Sequence, residues 1–129
     1  MIRELHELVR YRVDRADETF REAELMLQHG YLNGALNRLY YACFYAVTGL
    51  LLTEGHSSSK HSGVIALFER HWIKTGRLQV EMGRFYRRLF EQRQKGDYDD
   101  LASFPRHEVE ESMEQARVFI SRIKEQTDR

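Results

Sequence analysis

Residues Gly83–Tyr98 read GRFYRRLFEQRQKGDY, an arginine-dense stretch that leaves through Arg93-Gln-Lys-Gly-Asp-Tyr98. Together with Met82, the residues Phe85, Tyr86 and Leu89 fall at the i, i+3, i+4, i+7 spacing of an amphipathic helix. Arg93 comes four residues after Leu89 and seven after Tyr86, so it lies on the same apolar face. A guanidinium aimed inward needs a partner, because an unpaired buried charge is costly.

The same periodicity extends in both directions and predicts five helices. The first covers Ile2 to His29, with Leu5, Leu8, Val9, Val13, Ala16, Phe20, Ala23 and Leu27 on one face and Gly30 closing it. The second covers Leu32 to Glu54 and is apolar nearly all round from Leu39 to Val47, so it needs cover on every side. In a small bundle, part of that cover can come from a second subunit. The link from His56 to Ser59 is polar, and any of its serines can cap a third helix over Lys60 to Lys74. The fourth runs from Leu78 to Gln94. Gly96, Asp97, Asp99 and Asp100 mark a turn, which leaves Lys95 to Ser103 as a loop. Pro105 suits the first turn of a fifth helix, Pro105 to Gln126. Short connections and the absence of strand periodicity predict an all-α, up-and-down bundle of four or five helices in a single domain, 1–129.

The 129 residues are 42% hydrophobic and 31% charged, which excludes a disordered chain, and the formal net charge is zero. Charge is nevertheless segregated. Arg70, Lys74, Arg77, Arg84, Arg87, Arg88, Arg93 and Lys95 face only Glu81 and Glu91 in their segment, whereas the chain from Asp97 onward is acidic. Two explanations fit: a polyanion site, or a basic fourth helix paired with an acidic fifth.

Cys43 is the sole cysteine, so no intrachain disulfide forms, and a reducing, cytoplasmic setting follows. Its apolar neighbours suggest an inert thiol. Met1-Ile-Arg-Glu-Leu-His lacks the basic start and apolar core of a signal peptide. The longest uncharged run, Leu39 to Thr53, is too short to cross a bilayer. No phosphate-binding glycine loop is present. The six histidines are scattered, with no pair at metal-binding spacing, so no metal and no cofactor is expected.

Three groups carry possible chemistry. His61 opens the third helix beside Lys60, either as an acid–base group or phosphate ligand, or as a fixture of the link. Arg38, Tyr41 and Tyr45 share a face of the second helix. They form either a phosphate and base platform or an internal ion pair, to Glu24 or Asp97, with packing tyrosines. Arg84, Arg87 and Arg88 form a basic ridge, either solvated and paired with the fifth helix or polyanion-binding.

The blocks Asn37-Arg-Leu-Tyr-Tyr-Ala-Cys-Phe-Tyr-Ala, Lys60-His-Ser-Gly-Val-Ile and Leu89-Phe-Glu-Gln-Arg-Gln-Lys-Gly-Asp-Tyr98 together resemble HEPN domains (higher eukaryotes and prokaryotes nucleotide-binding). The resemblance spans Leu8 to Ile123 and is greatest to the small stand-alone prokaryotic branch. It implies a helical bundle, a homodimer, and pairing with a minimal nucleotidyltransferase in a toxin–antitoxin module. Many relatives are metal-independent endoribonucleases whose signature is Arg, four to six residues, then His, the two subunits' motifs sharing one cleft. Arg93 matches the arginine, but Tyr98 stands where the histidine would be, and the next histidine, His107, lies outside the allowed spacing. The usual proton-transfer group is therefore missing, and a phenol with a pKa near 10 replaces it poorly.

Three expectations follow. One is a protein that binds RNA or a nucleotide, or a nucleotidyltransferase partner, through Arg38, Tyr41, Tyr45, Lys60, His61, Arg93 and Lys95. Another is a divergent ribonuclease built on Arg93 with Asp97, Tyr98 or His61. The third is a structural bundle with an internal arginine–aspartate network.

Overall fold

Leu39, Tyr40, Ala42, Cys43, Ala46, Val47 and Leu50 follow one another around a single helix, and all are sealed from solvent. The computed structural model, which describes residues 2–99 and 101–128, accounts for this by placing that helix, α2 (Leu32–Leu52), at the centre of the molecule. Four other helices pack against it: α1 (Ile2–Gln28), α3 (His61–Phe68), α4 (Val80–Tyr98) and α5 (Arg106–Thr127). The fold is all-α, with no strand among the described residues. None of these helices is long and apolar enough to cross a membrane. Most of the cover of α2 comes from the same chain, because α2 is the core helix. Of its aromatic side chains, only Tyr41, Phe44 and Tyr45 stay half-buried.

Short turns enforce the packing. Gly30, at φ +80°, takes the left-handed conformation that closes α1, with Tyr31 N–H on the Met26 carbonyl at 2.9 Å and Gly30 N–H on Leu27 at 3.0 Å. The link after α2 is clasped by Arg77, which forks onto Glu54 at 2.6 and 3.0 Å and lies 3.6 Å from the centre of the Trp72 ring.

Several boundaries differ from the sequence reading. The third helix changes pitch after Phe68 and continues as one π-helical segment, Glu69–Ile73, closed by Lys74 N–H on the Glu69 carbonyl at 2.8 Å. This segment buries Trp72 and presents Glu69 to Arg87. None of the serines caps α3. Its N-cap is Lys60, whose N–H donates instead to Ser58 Oγ at 3.2 Å. The fourth helix does not stop at Gln94. It runs on to Tyr98, absorbing Lys95, Gly96 and Asp97 from the expected loop, and Asn37 of α2 meets Asp97 in its last turn. Asp100 lies outside the described residues. Pro105 is the N-cap of α5, one residue ahead of its first turn.

The basic ridge of α4 does not pair with the acids of α5. Arg87 forks onto Glu69 at 2.8 and 3.1 Å, and Arg88 reaches the uncharged Gln115. Two basic residues of α5 reach α1 instead, Arg117 to Glu24 and Lys124 to Asp17.

Because α2 touches every other helix, truncating it should be felt globally. Leu39→Ala, at a site with no solvent exposure, is expected to cost about 2–5 kcal/mol in urea unfolding. A loss below about 1 kcal/mol would show that α2 is not the centre of the core.

Candidate functional site

The extra turn of α4 determines what Arg93 meets. Its side chain is only 10% exposed, as the apolar-face reading required. It does not enter the aliphatic core but lies among rings: its guanidinium carbon is 5.0 Å from the centre of Tyr40, 5.6 Å from Tyr41 and 5.7 Å from Phe90. Aromatic faces attract a cation, more so when water is excluded. Nη1 reaches Asp97 Oδ2 at 3.3 Å, one turn further along α4, and the Tyr41 hydroxyl at 3.5 Å. Nε is buried without any hydrogen-bond partner.

The α2 contribution begins at Asn37. Its Nδ2 stands 3.4 Å from each oxygen of Asp97, and its Oδ1 accepts from Arg38 Nε at 3.2 Å and Nη2 at 2.9 Å. Arg38 also pairs with Glu22 of α1 at 3.4 Å and lies 5.1 Å from the centre of the Tyr41 ring. Its carboxylate partner is therefore neither Glu24 nor Asp97. Glu24 is engaged by Arg117, and Asp97 belongs to Arg93 and Asn37.

α3 supplies His61. Its Nδ1 lies 2.6 Å from the Tyr40 hydroxyl, and its ring stacks on Phe44 with centres 4.7 Å apart and on Phe90 at 6.4 Å. Tyr40 thus touches both chemical groups, holding the histidine through its hydroxyl and facing the arginine with its ring. Burial lowers the His61 pKa from its ordinary value, and the Arg93 charge lowers it further, so the imidazole is neutral near pH 7. Burial pushes the Tyr40 phenol up to about 12, which keeps its proton on. α3 can start here because residue 63 is glycine. A Cβ there would collide with the Ser58 side chain, so any side chain would displace Ser58 in the link that leads into His61.

Arg93, His61, Tyr41, Arg38 and Asp97 thus gather at one place. Tyr45 lies further along α2 with Arg15 of α1, whose guanidinium is 5.0 Å from its ring centre. Lys60 and Lys95 are exposed. Tyr98 is 80% exposed, turned to solvent rather than toward the cluster. Cys43 is buried, and its thiol pKa is raised well above the ordinary value by desolvation. Among the described residues, no three His, Cys, Asp or Glu side chains stand together as a metal set. The sequence reading missed two members of the cluster, Asn37 and Tyr40. Asn37 precedes Tyr40 and Tyr41 at the spacings that share a helix face, which offered only a weak signal.

The HEPN domain family model matches residues 9–126, almost the whole chain. This chain belongs to the HEPN family. A UPF0332 protein of Thermotoga maritima is 43% identical over 93% of this chain and 91% of its own. A Methanocaldococcus jannaschii protein described as a "putative toxin" is 31% identical over 95% of this chain and 80% of its own. The crystal structure of TT1696 from Thermus thermophilus matches with a TM-score of 0.77 at 20% identity, over 92% of this chain and 97% of that one. At that identity, the shared property is the fold. Within the HEPN bundle, the Arg93 region of α4 and the N-terminal half of α2 come together, and the start of α3 closes over them.

The His61 environment has a thermodynamic consequence. A folded-state pKa below 6.5 means that the unfolded chain takes up the proton first on acidification. The stability involved is present above about pH 6.5 and is lost as pH falls through the folded-state value. Between about pH 7.5 and pH 5.5 the wild type should therefore lose more melting temperature than His61→Gln. Parallel losses would show that His61 ionises freely.

Proposed function

We propose that this HEPN protein binds RNA or a nucleotide through phosphate contact at Arg93, acts as a homodimer, and pairs with a minimal nucleotidyltransferase in a cytoplasmic toxin–antitoxin-like module. The observation that carries the reading is the state of Arg93: nine-tenths buried, caged by rings, with Nε unpartnered and a single ion pair. A permanent cation so incompletely satisfied is suited to an incoming anion, and arginine's planar fork matches phosphate oxygens. Tyr41, half-buried beside it, offers a face for a base. Arg38, Lys60 and Lys95 would add charge along the backbone of a longer strand, with Tyr45 further out. The toxin description of the Methanocaldococcus relative supports the module assignment.

A charge-assisted hydrogen bond contributes about 1.5–3 kcal/mol, so Arg93→Ala should weaken binding of a labelled single-stranded RNA by about tenfold or more in fluorescence anisotropy. Arg93→Lys, which keeps the charge and loses the fork, should recover only part of it. Equal binding by wild type and Arg93→Ala would reject the assignment. Sedimentation tests the dimer, and co-expression with a minimal nucleotidyltransferase tests the partner.

A second reading, a metal-independent endoribonuclease, is favoured by one observation. The neutral His61, held at Nδ1 by Tyr40, stands in the Arg93 cluster although the motif position is Tyr98. On this reading His61 transfers protons, and Arg93 stabilises charge on phosphorus. Asp97 and Tyr98 are the other candidate proton carriers. RNA cleavage in the presence of a chelator should then fall in both Arg93→Ala and His61→Ala, and cleavage unchanged in either would exclude that residue from the chemistry.

A further inference from the structure

Resting on the reading that Arg93 grips a phosphate, we propose that the Asp97 carboxylate occupies the ligand's anion position between Arg93 and Asn37, and that phosphate binds by displacing it. Asn37 is then a second ligand-binding residue, and Asp97 is a built-in competitor rather than part of the grip.

The geometry shows an anion position that is built but poorly filled. Arg93 Nη1 and Asn37 Nδ2 both point at the carboxylate, and the Tyr41 hydroxyl stands beside Arg93 Nη1. The donor side is held firmly. Arg38 takes the Asn37 carbonyl oxygen with two N–H groups, which turns the amide nitrogen toward Asp97. The acceptor side is held loosely. Its contacts, 3.3 Å and 3.4 Å, lie at the long end of the hydrogen-bond range, where charge-assisted pairs normally close to about 2.7–2.9 Å.

Exposure follows the same asymmetry. The Arg93 side chain is 10% exposed and that of Asp97 is 34% exposed. The carboxylate can therefore swing out into water, whereas the guanidinium cannot. Asp97 also lies in the last turn of α4, where the helix dipole disfavours an anion, so the helix does not help to hold it. Arg93 Nε, buried and unpartnered, remains unsatisfied while Asp97 is the occupant. A phosphate group carries several acceptor oxygens where the tethered carboxylate has two. Two anions on one guanidinium repel, so carboxylate and phosphate exclude each other.

The test measures binding of a short labelled oligouridylate to wild type, Asp97→Asn, Asn37→Ala, Arg93→Ala and Glu114→Gln. The last removes an exposed charge on α5, outside the cluster. Circular dichroism on each variant checks the fold, and Asp97→Ala replaces Asp97→Asn if that variant melts early. Asp97→Asn should bind about fivefold more tightly, Asn37→Ala about fivefold more weakly, and Glu114→Gln almost as wild type. Binding by Asp97→Asn that is unchanged, weaker or no better than by Glu114→Gln overturns the displacement. Loss of binding in Arg93→Ala without a gain in Asp97→Asn leaves the phosphate reading standing and removes only this inference. Binding that survives Arg93→Ala, or that is absent from wild type and Asp97→Asn alike, removes both.

Discussion

The constraint on which this molecule depends is the burial of α2, sealed from Leu39 to Leu50 except along the stripe of Tyr41, Phe44, Tyr45 and Thr48. A helix that is apolar nearly all round from Leu39 to Val47 has no stable place at a surface, and the other helices of the chain supply most of its cover. The short turns at Gly30 and after Leu52 bring α1 and α3 back onto α2, and α4 and α5 add to the cover. Its buried length and the end that carries the candidate site are continuous. The residues that make the core, Leu36, Leu39 and Cys43, alternate with those that face the site, Asn37, Tyr40 and Tyr41. Rigidity of the core therefore passes directly to the site.

Tyr40 is where the two roles meet. Its ring is fully buried, stacked parallel to Tyr86 and against Phe90, while its hydroxyl emerges at His61. An aromatic residue with a polar tip suits such a boundary, because it fills the core at one end and satisfies a polar group at the other. Arg93 solves the converse problem. A charge brought onto an apolar face is tolerated because ring faces, a carboxylate and a phenol surround it rather than aliphatic carbon. What remains is a deficit at Nε, buried without a hydrogen-bond partner.

The imidazole and the cation of the cluster come from different helices. Arg93 lies on α4 and His61 on α3, with Tyr40 of α2 between them. A linear motif that looks for both on one helix finds Arg93 and then Tyr98, which points into solvent. The π-helical segment after α3 and the Arg77 clasp on Glu54 restrain the far side of the same α2–α3 connection, so the start of α3 is held over the cluster.

The five helices, their faces and the apolar register of Arg93 were legible in the sequence, because period and side-chain polarity are local properties. So was the family, through blocks that the HEPN match confirms. The end of α4 was not. Gly96 and the acidic residues after it read as a turn, whereas α4 runs on to Tyr98, which places Asp97 one turn from Arg93 and within reach of Asn37, sixty residues away along the chain. The partners of Arg38 and Arg87, the absence of a serine cap on α3 and the approach of His61 were decided at the same level. Each depends on which helices lie side by side, and a charge or an imidazole carries no mark in the sequence of the group it will meet across the bundle.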